Sequence, residues 1–238
     1  MKILALDTAT ESCSAALLID GRILARERLL EHGHAEHILP MVDELLAEGA
    51  VALRELSAIA FGRGPGAFTG VRLAASVTQG LAYGAAVPVV PVSDLRAIAE
   101  RVLESEAALD HVLVCTDARM HEVYWAWFER GREGHAVEVG EERVGRPAEV
   151  VFPDHSPGQD TAQVRRFAAA GSAFAAYPQL RTAVAVRAAL ILESLRPRAR
   201  EVATLAAPEV AAGRVLPAEQ ALPRYLRDDV VQTRTGRH

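Results

Sequence analysis

The chain has 238 residues, half of them hydrophobic and 24% charged, with a net charge of −5 and an isoelectric point near 5.9. This length accommodates one large domain or two of roughly 100–150 residues, and the composition excludes a disordered chain. The acidic balance disfavours a protein that binds nucleic acid by itself, because the basic bias is confined to Arg224, Arg227, Arg234 and Arg237.

Residues 2–6 form a short apolar strand ending at Asp7. Residues 13–19 form a second strand, Asp20-Gly21 supplies the positive φ of a tight turn, and residues 22–29 complete a hairpin. The spacing of Ile38, Val42, Leu45 and Leu46 predicts a helix over 35–48, with Pro40 tolerated only in its first turn. A strand over 57–62, a Gly-rich turn from Gly62 to Gly70, a helix over 68–83 and a strand over 87–92 follow. The order β-β-β-α-β-α-β implies a mixed sheet with helices on its faces. Residues 112–117, 121–128 and 135–144 read as three more strands, with Gly131 and Gly134 punctuating the last turn. Pro153 to Asp160 reads as a polar loop. The Ala-rich stretch 161–194 reads as mostly helical, with a strand around 182–186. Residues 199–213 form a helix ended by Gly213, and the polar tail beyond Asp229 is expected to fray.

Two parts of this pattern echo each other. Asp7 ends a strand and precedes Gly21 by 14 residues; Asp117 ends a strand and precedes Gly131 by the same 14. With the matching strand order, the offset points to two divergent copies of one α/β half.

Several constellations could carry chemistry. Asp7-Thr8-Ala9-Thr10 places a carboxylate and hydroxyls at a strand end, suited to a hydrated metal and a phosphate. Asp117-Ala118-Arg119-Met120 lacks those hydroxyls. Gly64, Gly66 and Gly70 allow close backbone approach at a helix start, but the segment is neither a P-loop nor a dinucleotide fingerprint. His32, His34 and His37 surround Glu36 and read as solvated helix-terminus histidines, with no second cluster to complete a metal site. Cys13 and Cys115 lie in apolar runs and read as buried free thiols. There is no Gly-x-Ser-x-Gly elbow. In helix 68–83, Ala74, Thr78 and Ala82 form one stripe of small residues, and Ser76, Gly80 and Gly84 another. One stripe should meet the sheet and the other a partner; helix 35–48 adds an apolar ridge beside them. The apolar run before Asp7 is too short for a signal peptide and no run of about 20 apolar residues exists, so a cytoplasmic location with no membrane contact is expected.

The motifs Asp7-Thr8-Ala9-Thr10, Gly62-Arg63-Gly64-Pro65-Gly66-Ala67-Phe68-Thr69-Gly70-Val71-Arg72, Asp117-Ala118-Arg119-Met120 and Tyr225-Leu226-Arg227 resemble the bacterial TsaB (YeaZ-like) family. The likeness runs from Met1 to about Asp229 and is looser over 145–200. It implies an actin-like, Hsp70-like (ribonuclease H-like) α/β fold of duplicated mixed sheets flanked by helices. The expected subdomains are residues 1–103 and 104–238, with the helix near 199–213 a candidate to pack back on the first. It implies a role in making N6-threonylcarbamoyladenosine in tRNA, as a scaffold that binds and stabilises the paralogous transferase TsaD and helps recruit the ATPase TsaE.

TsaD-like enzymes carry a His-x-x-x-His metal pair; by alignment Asp94 and Ile98 stand there, and Ile98 cannot bind a metal. The resemblance thus implies a non-catalytic subunit with no metal and no tightly bound cofactor, ATP being used by the wider complex. The expected TsaD-binding residues are Ile38, Met41, Val42 and Leu45 on the first helix, and Val71, Ala74, Ala75, Thr78, Leu81 and Ala82 on the second. Asp7, Thr8, Thr10, Gly64 and Gly66 are the expected vestige of a nucleotide loop. A homodimer through the same surface is expected when the chain is alone, with tRNA reached only through the complex. The rival readings are an ATP-dependent enzyme of the sugar-kinase class and a TsaD-like metalloenzyme of the kind once labelled glycoprotease.

Overall fold

The computed structural model describes residues 1–152 and 167–227. Its elements are β1 (Lys2–Asp7), β2 (Ser12–Ile19), β3 (Arg22–Leu29), α1 (His34–Gly49), β4 (Ala58–Gly62), α2 (Phe68–Ala85), β5 (Val89–Val92) and α3 (Asp94–Ser105). Then come β6 (His111–Arg119), β7 (Glu122–Arg130), β8 (Ala136–Gly145), β9 (Phe167–Ala170), α4 (Ala173–Ala176), α5 (Pro178–Ala185), β10 (Leu190–Leu192) and α6 (Ala199–Ala211).

The strands form two five-stranded sheets, in the orders β3-β2-β1-β4-β5 and β8-β7-β6-β9-β10. Strand for strand these are the same topology: two antiparallel pairings, then two parallel ones. Asp7 and Asp117 both lie at the end of the central strand of their sheet. Each carboxylate accepts a hydrogen bond from the backbone N–H two residues on, Ala9 and Arg119, at 2.9 Å. The repeat therefore extends to the local turn chemistry.

Side chains of β1 alternate between two cores, as the pleat requires. Leu4 and Leu6 pack with Leu17, Phe61 and the inner faces of α1 and α2. Ile3 and Ala5 face the other way, onto Val202, Ala203 and Ala206 of α6. The second sheet is covered on one face by α3, through Leu95, Ile98 and Val102, and on the other by Phe174, Leu180 and Val184. Helices α3 and α6 pack against each other between the sheets.

Several expectations need correction. Pro40 lies past the first turn of α1, inside a helix that runs on to Gly49. Its ring is exposed and Glu36 loses only one amide partner, so the helix passes through it. Residues 182–186 are not a strand: helix α5 runs to Ala185, and the strands are Phe167–Ala170 and Leu190–Leu192. Alanine biases a reading toward helix, whereas in β9 it packs a narrow, fully buried strand between two others. Helix α6 ends at Ala211, and Gly213 takes the left-handed conformation just beyond it (φ 71°). The loop expected at 153–160, the helix expected at 161–166 and the tail beyond Asp229 lie outside the described residues.

Candidate functional site

The ends of β1 and β4 bring the Asp7–Thr10 turn against the Gly-rich turn. A Cβ on Gly66 would stand 2.6 Å from the Ala9 carbonyl oxygen, and one on Gly70 would overlap the Thr8 carbonyl. Close approach is therefore the reason for glycine at both. The two turns are tied by the Thr8 hydroxyl, which donates to Gly70 O at 2.7 Å, and by Ala67 N, which donates to Ala9 O at 2.7 Å. The Thr8 hydroxyl and the Ala67 N–H are thereby engaged by the chain itself. Thr10 holds the local turn by accepting from Ser12 N at 3.2 Å, and its carbonyl contacts His34 Nε2 at 2.9 Å.

Beneath this junction lies a pair of carboxyls. Asp94 is the first residue of α3, whose N-cap Ser93 accepts from Arg96 N at 3.1 Å. Asp94 Oδ2 accepts from Gly64 N, and Asp94 N donates back to Gly64 O at 3.1 Å, so the acid clasps the Gly-rich turn. Asp7 and Asp94 are buried, and a Cβ on Gly62 would run into Asp94 Oδ1 and Asp7 Oδ2. Those two oxygens have no donor from any other described group. Burial pushes both acids up, Asp7 to about 6 and Asp94 well above the carboxylate range, with the neighbouring Asp7 charge adding to the rise at Asp94. Two buried carboxyls in contact disfavour being ionised together.

The second aspartate turn is closed differently. Asp117 receives the Tyr177 hydroxyl at 2.9 Å and pairs with Arg119 at 3.3 Å, while its own N–H donates to Ser172 Oγ at 3.0 Å. Burial and that carboxylate push the Tyr177 phenol up to about 12. The two halves are then pinned together by Glu142 of β8. Its buried carboxylate takes Arg63 at 3.1 Å, Arg224 at 3.5 Å and the Ser93 hydroxyl. The C-terminal segment runs over this junction: Arg224 N donates to Arg63 O at 2.8 Å, and Arg227 pairs with Glu122.

The residues expected to face a partner need reassignment. Ile38, Met41, Val42, Leu45, Val71, Ala74, Ala75, Thr78 and Ala82 are all buried, packed toward the first sheet. A side chain sealed inside its own core cannot touch a second protein. Of the ten, Leu81 alone is partly exposed. The outward face of α2 carries the other small stripe, Ser76, Gly80 and Gly84, with Tyr83 among them at 79% exposure. Gly80, Leu81, Gly84 and Ala85 border a groove of about 370 Å³ with Ala52, Leu53 and Arg54. Among the described residues no three metal-ligating side chains converge, and Ile98 is core. Burial pushes both thiols up, Cys13 to about 11, as inert cysteines require. No helix among the described residues is long and apolar enough to cross a membrane.

The family model of TsaD, tRNA N6-adenosine threonylcarbamoyltransferase, matches residues 28–235. The tRNA threonylcarbamoyladenosine biosynthesis protein TsaB of Escherichia coli is 39% identical over 235 residues, covering 97% of this chain and 96% of that protein. TsaB of Haemophilus influenzae is 48% identical over 126 residues, 53% of each chain. A crystal structure from Pseudomonas aeruginosa, described as an uncharacterized protein with similarity to the peptidase YeaZ, superposes with a TM-score of 0.83. It is 41% identical and covers 95% of this chain and 99% of its own.

Proposed function

The chain belongs to the TsaB (YeaZ) family of tRNA threonylcarbamoyladenosine biosynthesis proteins, and from that premise we propose that it is a non-catalytic subunit that binds and stabilises the transferase TsaD and helps recruit TsaE. The observation that carries this reading is the state of the two aspartate turns. The framework of a nucleotide clamp is present twice, but in each copy the carboxylate and the groups beside it are engaged by the chain: Thr8 on Gly70, Asp94 on Gly64, Tyr177 and Arg119 on Asp117. A carboxyl pair sharing a proton beneath the Gly-rich turn is also a poor seat for a metal-bound phosphate. Such a chain retains the architecture of an enzyme without a free centre and offers its surface, with no tightly bound cofactor of its own.

The TsaD-facing surface is the outer side of α2, where Ser76, Gly80 and Gly84 let a second helix come close and Tyr83 is free to enter it. The test is Gly80→Arg. A Cβ at Gly80 meets nothing within 4 Å, and leaving glycine favours the helix, so the variant folds. Its co-purification with TsaD should fall at least tenfold with an unchanged or raised melting temperature. Undiminished association would refute the assignment of this face, and tight ATP binding by the isolated chain would refute the non-catalytic reading.

A further inference from the structure

A continuous strip of exposed side chains crosses the mouth of the fold, assembled from three separate segments. At the start of α2 the Arg72 guanidinium lies 3.6 Å from the centroid of the Phe68 ring and 5.5 Å from that of Tyr225. Arg72 Nε donates to the Tyr225 hydroxyl at 2.7 Å, and both rings remain about half exposed. Two residues on, Arg227 reaches the tip of the β6–β7 hairpin, donating to Ala118 O at 3.4 Å and touching Met120 Sδ at 3.4 Å.

That tip is strained. Arg119, Met120 and His121 are all left-handed, with φ of 62°, 54° and 62°, and none is glycine. Tight hairpin turns usually recruit Asn and Gly for this geometry. Burial of the tip side chains does not compensate, since Arg119 and Met120 are 79% and 76% exposed. The strain holds three side chains out into solvent, beside a hollow of about 560 Å³ that Arg146 also lines.

The charges along the strip are layered. The carboxylate of Glu142 is sealed in and that of Asp117 is mostly buried, while the arginines they hold, Arg224 and Arg119, are turned outward. The Arg227–Glu122 pair departs from this layering, the carboxylate being slightly the more open of the two. An acidic chain thus presents one local edge of guanidinium groups interleaved with open aromatic faces. Guanidinium groups suit phosphates, and exposed ring and guanidinium planes suit unstacked bases.

We propose that this strip, Phe68, Arg72 and Tyr225 with Arg119, Met120 and His121, contacts the RNA of the substrate tRNA directly, cations on the phosphate backbone and rings against an unpaired base. The proposal goes beyond the subunit reading. It uses the opening turn of α2, whereas the TsaD-facing stripe starts one turn on, at Ser76, about 6 Å from Arg72, and is centred on Gly80 to Gly84, about 12 Å or more farther along the helix.

The test measures binding of a fluorescent, unmodified tRNA transcript to the full chain, alone and with TsaD, from 50 to 200 mM salt. Arg72→Gln and Arg119→Gln should each lower the slope of log affinity against log salt by about 0.7–0.9. Phe68→Leu should weaken binding about fivefold or more with the slope unchanged. Melting temperature and TsaD co-purification should stay at wild-type values. Among the described residues the exposed Arg119 guanidinium pairs with the Asp117 carboxylate, and Phe68→Leu keeps an apolar side chain, so these two decide if Arg72→Gln folds poorly. Unchanged affinity and slope in both would overturn the proposal. So would loss of TsaD association instead of RNA affinity, which would mark the strip as a protein contact. Gly80→Arg, which should break TsaD docking, should leave RNA binding by the chain alone intact.

Discussion

Replacing Asp94 by Asn tests the shared proton beneath the Gly-rich turn. In an unfolded chain both aspartates release their protons near 3.8. In the folded chain Asp7 does so at about 6 and Asp94 well above the carboxylate range. Raised folded values mean that the stabilising protonated pair is fully present below the unfolded value, and stability is lost as pH rises. From about pH 4 to 6 the folded state holds both protons that the unfolded state has given up. Stability goes on falling with pH until the raised Asp94 gives up its proton as well. In Asp94→Asn the amide donates to Asp7 without a titrating proton and its oxygen still accepts from Gly64 N. The stability difference between variant and wild type should therefore widen as pH rises, read from denaturant melts at pH 5, 6 and 7. Parallel curves would show that the two carboxyls do not share a proton.

Three further expectations rest on single contacts. Gly70→Ala should destabilise by about 1–3 kcal/mol despite the better helix propensity of alanine, because the new methyl overlaps the Thr8 carbonyl; Gly80→Ala, with open space at the same atom, should stabilise by about 0.5–1 kcal/mol, and equal effects would count against backbone contact at Gly70. Thr78→Val should raise the denaturant midpoint by the equivalent of about 1 kcal/mol, since the buried Thr78 hydroxyl has no partner among the described residues; a loss would mean the hydroxyl is satisfied. Glu142→Gln should cost about 1–3 kcal/mol, less than a fully buried pair because Arg224 is half exposed, and should speed amide exchange at Arg63 and Gly64; unaltered exchange would mean the halves are pinned elsewhere.

Strands β1 to β5 with α1 and α2 were legible in the sequence because apolar periodicity and turn glycines agree there. β9 and β10 were not, since Phe167-Ala-Ala-Ala has the composition of a helix and becomes a strand only by pairing with β6 and β10. The two stripes of α2 are alike in size, so size alone could not say which meets the sheet. Their neighbours could: Val71 and Ala75 flank the buried stripe, and Arg72, Gln79 and Tyr83 the open one. The carboxyl pair was hidden because Asp7 and Asp94 come from distant segments that only the β1–β4–β5 pairing brings together. Net charge averaged away the arginine edge, whose carboxylates are buried beneath it.

Helices α3 and α6 are exchanged between the halves. α3 follows the last strand of the first sheet yet covers the second; α6 follows the last strand of the second yet covers the first. On a ribosome, the first sheet would emerge with one apolar face open and stay so until residue 211 had been made. Neither half can close its core from its own stretch of chain, so the duplicated halves should fold and melt as one cooperative unit. The same crossing makes the molecule a poor candidate for cutting into two independently expressed pieces, however clearly the repeat divides it.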